Sequence, residues 1–179
     1  IFDYSPEIFN EVHLSQVTET FPFKESKNVS WINVDGIRKA DVEAIAKHFG
    51  FHHLIIEDIM SVSQRPKMDE VEGVLFCLLN MLYFNENAGT VEQEQISIVL
   101  GKDFVISFQE DASRDVFNPL REKLKLPSSK IRQRSADYLC YSMLDLIVDN
   151  YFSVMEKLGD RIEDHAHTQA AALRLGIPG

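Results

Sequence analysis

VLFCLLNMLYFNENAGTVEQEQISIVLGKDFVISF, residues 74–108, reads as three strands in succession. Two long β-type runs, 74–84 and 91–100, are joined by Asn85-Glu86-Asn87-Ala88-Gly89, a polar turn ending in glycine. Gly101-Lys102-Asp103 makes a second tight connection into residues 104–108. The pattern predicts an antiparallel meander. Within its first run Phe76, Leu78, Asn80 and Leu82 alternate with Cys77, Leu79, Met81 and Tyr83. Both sets are mostly apolar, so the sheet should be covered on both faces.

Helices flank this meander. Residues 40–49 place Val42, Ile45, Ala46 and Phe49 on one face, and Gly50 follows as the terminating residue. A second short helix covers about 54–61, and Pro66 forces a break. Downstream, 114–126 reads as a helix ended by Pro127. Residues 136–166 keep apolar positions at helical spacing from Cys140 to Ile162, a rod of roughly 45 Å at ~1.5 Å per residue. Ahead of the meander, residues 29–34 (VSWINV) read as a strand anchored by Trp31 and closed by Gly36. Residues 2–4 could be a strand, with Ser5-Pro6-Glu7 opening a helix over 8–14. The fold expected is α/β (α+β), a sheet covered on both faces by helices, with a long C-terminal helix. The expected division is an α/β domain over 1–135, the long helix packed on it over 136–166, and a tail over 167–179. That tail reads as foreign to the pattern before it, even as vector-derived, and Ile1 without a preceding methionine reads as a start partway into a gene product.

The 179 residues carry a net charge of −10, with 45% hydrophobic and 26% charged residues. Such a chain can bury a core. Its acidic balance argues against nucleic acid or an anionic membrane surface as main partner and is compatible with divalent cations. Cys77 and Cys140, far apart inside apolar runs, read as buried reduced thiols, with no zinc spacing. No apolar run approaches the ~20 residues that span a bilayer.

Candidate chemistry resides in carboxylates. Glu57 and Asp58 are adjacent on the second helix and point ~100° apart, so one ion cannot easily take both and two separate sites are the more natural arrangement. The alternative is a solvated helix face. Asp145, on the long helix, is placed about 100° from a stripe centred near Leu144 and Tyr151, at the border of the buried face beside Tyr138, Tyr141 and Phe152. Its alternative is an ion pair of the fold. Magnesium, which keeps several waters and takes one or two carboxylates, suits such incomplete sites. No paired histidine spacing and no GxSxG context for Ser61, Ser63 or Ser142 is present.

The stretch FHHLIIEDIMSVSQRPK, residues 51–67, resembles the CorA family of magnesium and cobalt channels, whose pattern is close to HPLxLEDIxxxxQRPK. The likeness continues through WINVDG (31–36), EQISIVL (94–100), FVISFQE (104–110) and DYLCYSMLDLIVDNYF (137–152), in family order over about 29–164. The resemblance implies a three-layer α/β/α sandwich on a mixed, largely antiparallel sheet, with 1–135 as the regulatory domain, in the cytoplasmic part of a homopentameric inner-membrane channel that meets the membrane only through C-terminal helices. It implies no enzymatic activity. It further implies magnesium, with cobalt or other divalent cations possible, bound between identical subunits, with Glu57, Asp58 and Asp145 contributing and an Asp and a His of a neighbour's stalk completing the sites. The family's Gly-Met-Asn signature is absent, so this chain is expected not to conduct ions by itself. His53 stands where the family has proline, and Ser63 where some members have histidine. Two rival readings are a magnesium-dependent phosphoacceptor or hydrolase using the same acids, with Lys67 orienting phosphate, and a metal-free oligomerisation module.

Overall fold

Seven strands form one sheet in the order β2-β1-β3-β7-β6-β5-β4. They are β1 (Phe2–Tyr4), β2 (Phe9–Glu11), β3 (Val29–Asp35), β4 (Lys67–Val71), β5 (Val74–Asn85), β6 (Thr90–Leu100) and β7 (Phe104–Gln109). The helices are α1 (Lys39–Phe49), α2 (His53–Met60), α3 (Asn118–Lys125) and α4 (Ala136–Arg174). The structure is a computed structural model and describes residues 1–61 and 64–174.

The meander is present as read from the sequence. β5 pairs antiparallel with β6, and β6 with β7. Gly101 makes the second connection because the Phe104 ring fills the space a Cβ would need, which no other residue could meet without displacing the ring. β3 joins β7 in parallel, with Trp31 opposite Val105 and Asp35 opposite Gln109. That single parallel pair makes an otherwise antiparallel sheet mixed.

Both faces are covered. On one, Trp31, Cys77, Met81, Ile96, Ile98 and Val105 meet Phe117, Leu120 and Leu124 of the α3 region and Leu139, Cys140, Met143 and Ile147 of α4. On the other, Ile32, Phe76, Leu78, Val99, Ile106 and Phe108 meet Val42, Ile45, Ala46 and Phe49 of α1 and Ile55 and Ile59 of α2. Along the apolar stretches of β3, β5, β6 and β7, alternate residues serve opposite clusters, which is why these strands read as apolar on both faces. Gly50 ends α1 in the left-handed region at φ 82°, its N–H bonded to the Ala46 carbonyl. Cys77 and Cys140 are free and buried in the same cluster.

Two local expectations are revised, and one strand is added. Residues 8–14 do not form a helix. The Ser5 hydroxyl accepts from the N–H groups of Glu7 and Ile8, chemistry that could cap a helix but here closes a turn, and Phe9–Glu11 returns to pair with β1. α3 begins at Asn118 rather than 114, because Ala112–Arg114 forms a short 3-10 turn and the Asp115 carboxylate caps the Phe117 N–H. β4, KMDEV, was missed: it is polar, lies at the edge of the sheet, and carries no alternation to mark it.

α4 runs from Ala136 to Arg174. Asn150 donates to the Leu82 carbonyl at 2.6 Å, and the Tyr151 hydroxyl donates to the Asn80 carbonyl. Lys157 pairs with Glu86 at 3.0 Å, and the Arg161 guanidinium lies over Gly89. The helix is thus fixed along β5 to the tip of the β5–β6 hairpin.

Candidate functional site

α2 presents two carboxylates in different states. Ile55 and Ile59 enter the core, which fixes the helix rotation. Glu57 then points to solvent and pairs with no side chain among the described residues. Asp58 is half-buried, and its Oδ2 lies 2.5 Å from the Lys67 ammonium at the start of β4. Lys67 also lies 4.0 Å from Asp69 Oδ2. From beneath, the Gln95 side-chain amide of β6 donates to the Asp58 main-chain carbonyl at 3.1 Å. Two strands of the sheet therefore hold this one residue, β4 through its carboxylate and β6 through its backbone.

His52 caps α2, its Nδ1 accepting from the Leu54 N–H at 3.2 Å. His48 stacks on Phe21 with ring centroids 4.1 Å apart, and Ser142 bonds back to the Tyr138 carbonyl at 2.7 Å. These groups serve local structure. Ser63 lies outside the described residues.

Asp145 is exposed, contrary to its expected place at the border of the buried face. The buried stripe of α4 is centred on Leu139, Met143, Ile147 and Val154, with Leu144 and Tyr151 only at its margin. The helix is turned by most of one residue step (~100°) from the sequence placement, and Asp145 faces away from the sheet. The apolar residues that looked like one stripe are two. Tyr141, Val148, Phe152, Met155 and Ile162 form a second, exposed row, with Asp145 at its edge beside Tyr141 and Phe152. Asp145 has no side-chain partner among the described residues.

The three acids do not converge. α2 packs on one face of the sheet and α4 on the other. Among the described residues, no three His, Cys, Asp or Glu side chains gather where one ion could be held. Each carboxylate supplies at most part of a coordination sphere. The donor set is nonetheless suited to a hard cation: Glu57 and Asp145 are exposed carboxylates with room for the waters that magnesium retains. Asp58 differs, because Lys67 already occupies it.

An enzyme using these acids would gather them at the carboxyl ends of parallel strands. The one parallel pair, β3–β7, ends instead at Asp35 and Gln109, beside a cleft of about 680 Å³ lined in part by Arg38, Asp41 and Glu110. There Asp35 accepts from the Asn33 and Gln109 amides, and Asp41 pairs with Arg38 at 2.6 Å. None of the three candidate acids reaches it. Among the described residues no helix is long and apolar enough to cross a membrane.

Residues 26–171 match the family model described as CorA-like Mg2+ transporter protein. The chain is 40% identical over 164 residues to the cobalt/magnesium transport protein CorA of Thermotoga maritima, covering 91% of this chain and 46% of that protein. In fold it is similar to the soluble domain of CorA from Methanocaldococcus jannaschii, with a TM-score of 0.70 at 13% identity, over 95% of this chain and 64% of that one. The complete structure of the CorA magnesium transporter from the same organism gives a TM-score of 0.63 at 16% identity, over 95% of this chain and 50% of that one. The chain spans about half the length of the curated relative it matches. The relatives are transporters, not enzymes.

Proposed function

This chain belongs to the CorA-like Mg2+ transporter family, and we propose that it acts there as the magnesium-sensing, gating part of a divalent-cation channel. The observation that carries the proposal is the state of Glu57 and Asp145. Both are exposed, unpaired carboxylates among the described residues, on helices packed on opposite faces of one sheet. Among the described residues neither gathers with two further metal ligands, and on this reading another copy in a homopentamer supplies the rest.

Glu57, Asp58 and Asp145 would each supply carboxylate oxygen to an ion shared between subunits, magnesium first and cobalt as an alternative. A bound ion neutralises facing carboxylates and draws adjacent subunits together. Without it, facing acidic surfaces repel, and the net charge of −10 on these 179 residues adds to that repulsion. The ion favours the closed arrangement only by binding it better than the open one. Conduction is not assigned to this chain. The cytoplasmic side of the inner membrane is where such a domain would meet the ion it reports.

The test uses the full-length protein carrying Asp58→Asn and Asp145→Asn. Closure, followed as loss of cation flux, should require at least about fivefold more internal magnesium than in the wild type. Closure at an unchanged magnesium concentration would remove these residues from the sensor.

A further inference from the structure

We propose that Lys67 is a tethered cation that competes with magnesium for Asp58 and so sets the concentration at which that carboxylate engages an ion. This rests on the sensing role given to Asp58 above and adds how it is tuned. The Lys67 Nζ stands 2.5 Å from Asp58 Oδ2, with the two side chains 34% and 17% exposed. Glu57 and Asp145 have no such partner among the described residues.

The pairing is built into the sheet. Lys67 opens β4, directly after Pro66, and is held opposite Leu78 of β5. Gln95 fixes the Asp58 backbone from β6. The ammonium therefore meets the carboxylate through strand registry, not through a chance surface encounter. A metal ion and an ammonium want the same carboxylate oxygens, and the like charges repel at contact distance. Binding at Asp58 must displace Lys67, whose nearest alternative anion is Asp69 at 4.0 Å. Lys67 can swing to Asp69 and leave Asp58 to the ion. Asp58 is accordingly the carboxylate engaged at the higher concentration, while Glu57 and Asp145 are open from the start.

The experiment measures magnesium binding to the full-length protein by calorimetry and by the rise in Tm on adding magnesium chloride. Lys67→Met, which keeps the aliphatic stem, should tighten binding about fivefold, the scale of a partly exposed ion pair. Lys67→Gln should do the same, which separates lost charge from altered packing. Lys67→Arg should stay at the wild-type affinity. In Asp58→Asn, removing Lys67 should change nothing further. If Asp58→Asn weakens binding but Lys67→Met leaves it unchanged or weakens it, the sensing role stands and the competition is overturned. If neither substitution alters binding, both fall together.

Discussion

Arg132→Ala is expected to lower the unfolding free energy by about 3–5 kcal/mol, read as a shifted urea midpoint with an unchanged slope. Arg132 is 2% exposed. Its guanidinium donates to the carbonyls of Ser5 at 2.7 Å, Leu124 at 2.9 Å and Pro6 at 3.2 Å, and it lies over the Phe9 ring. Its donors go to backbone carbonyls rather than to a carboxylate. Neighbouring Tyr4 supplies no anion, since burial pushes its phenol far above the ordinary range. Truncation leaves three carbonyls facing an unfilled hole between the β1–β2 turn and the end of α3. Lysine has the charge but one compact head, so Arg132→Lys should recover only part of the loss. A cost below about 1 kcal/mol for Arg132→Ala would mean that water satisfies those carbonyls and that the contact is incidental.

Trp31→Ala is expected to cost a similar amount, about 3–5 kcal/mol. Trp31 is fully buried at the centre of the larger cluster. Phe2 lies across it at 4.9 Å between centroids, and Phe117 meets it edge-on at 5.8 Å. Arg121, paired with Asp115, covers its ring at 5.1 Å. Its indole N–H donates to Ser107 at 2.9 Å, and Ser107 in turn donates to Asn33. The residue thus ties β1, β3, β7 and the start of α3 together. Trp31→Phe keeps much of the apolar volume but leaves Ser107 without its donor, and should fall between wild type and alanine. Denaturation followed by circular dichroism checks this, since Trp31 is the only tryptophan and its own fluorescence is lost.

Much of this fold was legible because its signals are local. The meander announced itself through apolar runs separated by Asn85–Gly89 and Gly101–Asp103, and α1 through one apolar face closed by Gly50. What could not be read depends on long-range pairing. The parallel joining of β3 to β7 brings Trp31 and Ser107 together across 76 residues. β4 is polar and edge-bound, so nothing in KMDEV distinguishes it from a loop, and with it went the Lys67 ion pair that sets the Asp58 carboxylate apart from that of Glu57. Asp145 was misplaced for a different reason. α4 carries two apolar rows, and averaging them gives a stripe that neither the sheet nor the solvent actually faces. That carboxylates at 57, 58 and 145 were candidates was legible from the motifs. That they stand apart, on two faces of one sheet, was not.

On the function proposed, each of these carboxylates is part of a site that these 179 residues alone do not complete. Calorimetric titration of magnesium into this 179-residue chain, dilute enough to be monomeric, and into the full-length assembly decides this. No saturable binding below about 1 mM is expected for the 179-residue chain. Saturable binding is expected for the assembly, and it should be lost when Glu57→Gln, Asp58→Asn and Asp145→Asn are combined. A stoichiometric, tight site in the monomer, or undiminished binding in the triply substituted assembly, would contradict it.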